Sequence, residues 1–372
     1  MEPVISAVEA HVLRAPIDVP VSNAFGAMTS RPAVFVRVVA SDGAWGWGES
    51  FANFPQVGAE HRARLARSIF APLLSDAPCD PAAVTVLLEE RTRRLALQCG
   101  EPGPFAQVSA AIDQALWDMA ARRAGVPLWR LLGGTSGHVS VYASGLGPDD
   151  VVATALRKRA EGYRAFKLKV GFGSKRDVDN LRALREALGD DARIMTDANQ
   201  AWEEAETVAR VAELAPFAPH WIEEPMAADE PAAAWRRLAK ASAIPVAAGE
   251  NLRGRAAFCE AIDGGWLAVV QPDVGKWGGI TRCRDVALHA ASRGVACCPH
   301  WLGGGIGLAA SLHLLAAHGT ADSYAEVDAN PNPLREQVCP LVPRDGIVVL
   351  GDAPGIGVEP DLVRLKPFAT GC

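Results

Sequence analysis

From about residue 139 onward, short apolar runs recur with an amphipathic segment between each pair: VSVYAS, AFKLKV, RIMTDA, HWIEEP, IPVAAG, LAVVQP, VACCPH and SYAEVD. The interval is roughly 25–30 residues, the length of one strand, one helix and two loops. Antiparallel neighbours need only a short hairpin, so a helix between every pair of strands points to parallel pairing. Eight such units predict an α/β fold of the (β/α)8 or (β/α)7β TIM-barrel type. The intervening segments 177–188, 203–215 and 281–293 carry the 3.6-residue apolar spacing that outer helices of a barrel require.

The first part of the chain reads differently. Residues 4–14 and 33–40 and the run AWGWGES have strand character, with Ser41-Asp42-Gly43 as a turn. Segments 59–74, 81–97 and 106–124 then turn helical. Strands followed by helices indicate an N-terminal α+β capping domain over 1–130. The barrel is expected over 131–340, and a tail over 341–372, with GIVVL among its β-like runs, is expected to pack back on the capping domain. A chain of 372 residues is too long for one ordinary core and suits two. The stretch VPVSNAFGAMTSRP, residues 19–32, reads as a long polar loop. With the segment after Glu49, it is expected to reach over the barrel mouth.

Charge and cysteine usage narrow the partners. The net charge of −6 and the absence of a Lys/Arg-rich run argue against nucleic acid and anionic membranes. The eight cysteines contain no C-x-x-C pair, which suits reduced thiols better than a disulfide framework or zinc site. The N-terminus lacks the basic-then-apolar pattern of a signal peptide, and no apolar stretch is long enough to span a bilayer. A cytoplasmic enzyme, assembled as a homo-oligomer and acting on a small-molecule carboxylate, is expected.

Charged residues stand at the ends of the apolar runs. In a parallel barrel those ends converge on one mouth, so residues distant in sequence meet there. Asp197, Glu223 and Glu250 follow consecutive strands, and an all-oxygen set favours a hard cation, Mg²⁺ or Mn²⁺. Read singly, each could be a helix cap or a surface acid. Together they would repel one another without a shared counter-charge. Glu224, next to Glu223, should point differently. Lys167 and Lys169 are two apart and so share a strand face. One could serve as a base while the other binds a carboxylate; the plainer reading is lysines snorkelling to solvent. Asp273 and His300 end neighbouring strands, and an Asp bonded to imidazole would fix its tautomer. Glu326, on the eighth strand, would complete the ring, protonated or hydrogen-bonded.

With these residues placed, the chain resembles the enolase superfamily, within it the mandelate racemase/muconate lactonizing enzyme family. The resemblance rests on GWGE, AIDQALWDMAARRAGVPLWRLLGG, K-x-K, D-A-N, W-I-E-E-P, G-E-N, Q-P-D-x-x-x-x-G-G-I-T and the histidine, and it covers essentially the whole chain. A muconate-lactonizing member would be expected to carry a lysine where Asp273 stands, so the resemblance is to the mandelate racemase subgroup. Within it, KLKVGFG, CPHWLGGGIGLAASLHLLAA, EVDANPNPLRE and GDAPGIGVEPDL are similar to the galactarolactone and 3,6-anhydrogalactonate cycloisomerases.

The resemblance implies Mg²⁺-assisted abstraction of the proton α to a carboxylate, giving an enediolate. Lys169 would face one side of the α-carbon and His300, oriented by Asp273, the other. Lys167 and Glu326 would stand beside the developing charge. Loss of a ring oxygen from the β-carbon gives a cycloisomerase of a sugar-acid lactone or anhydrosugar acid. Loss of a hydroxyl gives an acid-sugar dehydratase and a 2-keto-3-deoxy acid, and return of the proton gives a racemase or epimerase. A barrel kept only as a binding protein is the alternative outside catalysis.

Overall fold

The computed structural model describes residues 2–23, 26–55 and 57–371. The N-terminal part opens with a three-stranded antiparallel sheet of β1 (Ile5–Asn23), β2 (Gly26–Ala40) and β3 (Trp45–Ser50) in that order. Helices Pro81–Gln98 and Pro102–Ala124 follow, each with proline in its first turn, where no N–H is needed. Asp80 caps the first of them by accepting from Ala83 N at 2.7 Å. The helix Pro102–Ala124 lies directly on β3. A Cβ at Gly46 would fall 2.0 Å from Ala115 O, and one at Gly48 1.9 Å from Ala111 O. The glycines of the W-G-W-G run are therefore where helix backbone meets strand backbone.

Residues 19–23 and 26–32 form no loop. They are the far end of the β1–β2 hairpin, with Val21 opposite Met28 and Asn23 opposite Gly26. The register shifts between Pro16 and Val21. Most of the outer ribbon is exposed, with Met28 and Arg31 among the few buried exceptions, so it lacks the apolar alternation that marks a strand. Ala24 and Phe25, within the expected loop, lie outside the described residues.

The second part is a curled parallel sheet of eight strands: β4 (His138–Leu146), β5 (Ala165–Lys169), β6 (Arg193–Asp197), β7 (Ile222–Glu223), β8 (Val246–Ala248), β9 (Val269–Val270), β10 (Ala296–Cys297) and β11 (Ala325–Asp328). Pairing runs from β10 in descending order to β4 and then to β11. Side chains close the seam between β10 and β11, where Cys298 Sγ accepts from Tyr324 N at 3.3 Å. A helix of nine or more residues follows each of the first seven strands, and only the single turn Pro333–Glu336 follows the eighth. This is the (β/α)7β variant. Tyr142, Ala165, Met195, Trp221, Ala247, Val269 and Cys298 fill the barrel interior as an apolar floor.

The tail first meets the barrel. β12 (Ile347–Val349) pairs antiparallel with the entering end of β4. Only afterwards does it return to the N-terminal part, where Ile356 N donates to Asp118 Oδ1 at 2.7 Å and Thr370 N to Val12 O at 3.1 Å. Among the described residues no helix is long and apolar enough to cross a membrane, and the cysteines are free thiols.

Candidate active site

Parallel pairing brings the strand ends to one level: Lys169 is in register with Asp197, and Asp197 with Glu223. Lys167 lies on the same face one layer deeper, fully buried, with its Nζ 5.3 Å from the centre of the Tyr142 ring. Its ammonium donates to Glu223 Oε2 at 2.6 Å and pairs with Glu326 Oε1 at 2.7 Å and Asp197 Oδ2 at 3.5 Å. Burial works against its charge, but Glu223, Glu326 and their neighbours outweigh burial and hold Lys167 well above the ordinary lysine value. Lys169 sits higher and stays 16 % exposed, donating to Asp197 Oδ2 at 2.5 Å and Asn199 Oδ1 at 2.8 Å.

His300 stands across the mouth. Between it and Lys169 the barrel has β4 and β11 on one side and β6 to β9 on the other. Its Nδ1 lies 2.5 Å from Asp273 Oδ2, and its Nε2 lies 2.6 Å from Glu250 Oε2. Asp273 is itself fixed, because its Oδ1 accepts from the N–H groups of Gly275 (2.7 Å) and Lys276 (2.9 Å). Burial opposes an imidazolium here, yet Glu250, Glu326 and the bond to Asp273 push His300 up to about 10. Glu326 accepts from the Ser144 hydroxyl and, at 3.1 Å, from Trp301 N. Burial raises its carboxyl, but Lys167 and His300 pull it down to about 2. Of the two states expected of Glu326, the hydrogen-bonded one matches these contacts.

Asp197, Glu223 and Glu250 are all at most 7 % exposed. Among the described residues no three His, Cys, Asp or Glu side chains enclose a point where one ion would sit. Asp197 and Glu223 turn to the two lysines, while Glu250 turns to His300 and, at 3.2 Å, to Lys276 Nζ. The donor chemistry still fits a hard dication. Glu223 Oε1 is buried with no hydrogen-bond partner. Six acidic side chains (Asp197, Glu223, Glu224, Glu250, Asp273 and Glu326) face four basic ones (Lys167, Lys169, Lys276 and His300), so acids are in surplus. That surplus shows in the acids themselves. Burial and Asp197 push Glu223 to about 7, and burial and Glu250 push Glu224 well above the ordinary range. Glu224, at φ +37°, turns aside to accept from Asn251 Nδ2 at 2.9 Å and Gln200 Nε2 at 3.1 Å.

The N-terminal part lies over this mouth. Phe51 N donates to Gly275 O at 3.1 Å, the Phe51 ring centre is 4.5 Å from Lys276 Nζ, and the Asn53 amide donates to Leu302 O. Arg31 of β2 is buried against Asp328 at the end of β11, which ties the hairpin to the rim. A groove of about 510 Å³ runs between hairpin residues 19–22 and the rim residues Gly145, Asp149 and Asn330.

Several site residues escaped the reading of the sequence. Lys276 lies three residues beyond Asp273 inside the Q-P-D-x-x-x-x-G-G run, and that spacing could have flagged it. Gln271, which donates to Glu223 Oε2 at 2.6 Å, precedes the same aspartate by two. Asn199 and Asn251 belong to D-A-N and G-E-N, of which only the acids were singled out. Ser144 carries no local signal, since its role comes from the pairing of β4 with β11.

Comparison with known proteins supplies the lineage. Residues 7–133 match the mandelate racemase / muconate lactonizing enzyme N-terminal domain, and residues 150–364 match the enolase C-terminal domain-like family. The chain belongs to the mandelate racemase/muconate lactonizing enzyme family. Within this family it is 31% identical to D-galactarolactone cycloisomerase of Agrobacterium fabrum, covering 98% of each chain. It is 33% identical to 3,6-anhydro-alpha-L-galactonate cycloisomerase of Streptomyces coelicolor, covering 99% of this chain and 100% of that one. D-galactonate dehydratase of Klebsiella pneumoniae is 34% identical, over 76% of this chain and 74% of the relative. A mandelate racemase/muconate lactonizing enzyme from Bordetella bronchiseptica RB50 superposes with a TM-score of 0.94 at 49% identity, covering 99% of both chains. A Streptomyces coelicolor A3(2) racemase whose crystal structure has bound magnesium gives 0.89 at 33% identity, covering 99% of this chain and 100% of that one.

Proposed function

We propose that the chain is a cycloisomerase of a sugar-acid lactone or anhydrosugar acid, acting by abstraction of the proton α to a carboxylate. The observation that carries the reading is the placement of Lys169 and the His300–Asp273 pair on opposite sides of one mouth, with Asp197, Glu223 and Glu250 between them. Asp197, Glu223 and Glu250 would hold a divalent cation, Mg²⁺ first and Mn²⁺ possible in its place. When bound it would supply Lewis-acid stabilisation of negative charge on the substrate carboxylate. The magnesium in the Streptomyces racemase and the surplus of acidic side chains here both support that assignment.

The chain's own groups then divide the work. Lys167 keeps its charge in the buried layer and stands where a carboxylate oxygen gains charge as the enediolate forms. Lys169 or His300 takes the α-proton, according to which face of the α-carbon carries it. The electron pair of the C–H bond first passes into the carboxylate as the enediolate, then returns to form the C–C double bond of the enol as the β-carbon–oxygen bond breaks. The group on the other face gives a proton to the departing ring oxygen, and the enol tautomerises to a 2-keto-3-deoxy acid. The ring has opened with no change in composition. Asp273 holds His300 in one orientation through Nδ1, leaving Nε2 toward the mouth. Segment 51–53 and the apolar floor restrict water around these charges.

The similarity to a galactonate dehydratase favours one second reading, in which the same first step expels a hydroxyl. Product mass separates the two. The protein with Mg²⁺, offered a panel of sugar-acid lactones, anhydrosugar acids and open acid sugars, is expected to give a product of unchanged mass from a cyclic substrate. A product lighter by one water from an open acid would replace the cycloisomerase reading with the dehydratase.

A further inference from the structure

The two barrel helices that leave the Asp273 and His300 loops begin without caps of their own. The helix Gly279–Ser292 has Gly278 at its N-cap position, and the helix Gly305–His318 has Gly304. Glycine offers no side chain to the orphan N–H groups of a first turn. In both helices a carboxylate from the N-terminal domain takes that place. Asp113, on helix Pro102–Ala124, accepts from Thr281 N at 2.9 Å and from the Thr281 hydroxyl at 2.5 Å. Glu49, on β3, accepts from Gly304 N at 2.5 Å and Gly307 N at 3.0 Å. Both carboxylates are buried, at 2 % and 1 % exposure. Buried carboxylates persist only where hydrogen bonds replace water, and here those bonds cross between domains.

Further contacts join the two caps into one clamp. The Gln114 amide donates to Glu49 O at 2.9 Å and to Val274 O at 2.7 Å, so it bridges β3 and the Asp273 loop. Trp301 lies between the loops: a Cβ on Gly275 would come within 2.7 Å of its ring, and one on Gly303 within 2.5 Å. Its indole Nε1 donates to Gly304 O at 2.9 Å. The Asp273–His300 hydrogen bond thus joins two loops, each followed by a helix whose start is held by the N-terminal domain.

We propose that Glu49 and Asp113 are positioning residues for the Asp273–His300 pair. By capping the two helices across the domain boundary, they set the separation of the two loops and so the geometry of the bond that orients His300. Neither carboxylate is hydrogen-bonded to Asp273 or His300; Glu49 holds backbone N–H groups, and Asp113 holds the backbone and hydroxyl of Thr281. The inference rests on the reading of His300 as an acid–base group. Asp118 provides the comparison. It is a fully buried carboxylate on the same helix, but it accepts from Trp47 N at 2.9 Å and Ile356 N at 2.7 Å, away from both loops.

The test uses the full-length protein and the variants E49Q, D113N, D118N and H300N. Proton NMR reads the downfield imidazole N–H of the His300–Asp273 bond, identified by its loss in H300N. E49Q and D113N are expected to shift or broaden that signal. On the lactone found by the product-mass screen, they are expected to lower kcat about tenfold with KM changed less than about twofold. D118N is expected to lower the thermal midpoint while leaving the signal and kcat in place. A wild-type signal in folded E49Q and D113N would overturn the proposal, and so would an equal change in D118N. If E49Q does not fold, D113N decides alone. The NMR signal needs no substrate, so a shifted signal without turnover on any sugar acid would sustain the clamp and overturn the cycloisomerase reading instead.

Discussion

Lys167 and Lys169 are two residues apart and share a face, yet the barrel gives them different surroundings. Lys167 is sealed among Glu223, Glu326 and Tyr142, while Lys169 stays 16 % exposed beside Asp197 and Asn199. The deeper lysine is suited to holding charge and the upper one to meeting substrate. Lys169→Ala and His300→Ala are each expected to lower kcat by about 10²- to 10⁴-fold, the usual weight of an acid–base group. Asp273→Asn, which leaves His300 without its orienting charge, is expected to cost about 10- to 100-fold. Steady-state kinetics on the lactone substrate checks all three, and wild-type kcat in Asp273→Asn would contradict the role given to that bond. Glu223→Gln is expected to weaken Mg²⁺ binding by about tenfold or more, read by calorimetry; unchanged affinity would remove Glu223 from the ligand set. The charged residues were legible because each stands at the end of an apolar run and the parallel register levels those ends. Gln271 and Ser144 were not, because their partners lie on other strands and their residue types are common outside active sites.

At the scale of elements, the packing of β3 on helix Pro102–Ala124 places the N-terminal part over the barrel. Gly48 allows it, since a Cβ there would sit 1.9 Å from Ala111 O and 2.9 Å from Ala111 C, both backbone atoms that cannot rotate away. Gly48→Ala is expected to destabilise by about 1–3 kcal/mol, the range for an overpacked contact. Because β3 carries Glu49 and leads into segment 51–53, kcat should fall as well. Urea unfolding and kinetics check this, and a variant of wild-type stability would show that the close approach can relax. The strand–helix alternation made the barrel readable, because each unit repeats the same period. The hairpin was misread as a loop because its outer end is mostly exposed and carries no alternation. The trans-capping carboxylates, Glu49 and Asp113, stand far apart in sequence and reach backbone 255 and 168 residues downstream respectively. No local pattern announces such contacts.

At the scale of the whole molecule, the tail and the two domains meet around His313. It is 2 % exposed, its Nδ1 accepts from Trp129 N at 3.0 Å, and burial lowers it from 6.5 to about 4. The folded protein keeps this imidazole neutral, whereas the unfolded chain takes up a proton below 6.5. Its contribution is therefore fully present above pH 6.5 and is lost as the pH falls toward 4, an effect of about 3 kcal/mol at most. The stability gap between the wild type and His313→Gln is expected to narrow over that window in denaturant titrations; a constant gap would contradict the shift. The larger claim is that this barrel mouth removes a proton α to a carboxylate, with Lys169 and His300 on opposite faces. It is tested most directly by incubating protein, Mg²⁺ and the lactone substrate in deuterated water and following the α-hydrogen by NMR. One of Lys169→Ala and His300→Ala is expected to abolish exchange of that hydrogen. The other is expected to retain exchange while making no product, because proton removal and departure of the β-oxygen are separate steps. Wild-type product formation in both variants would contradict the account.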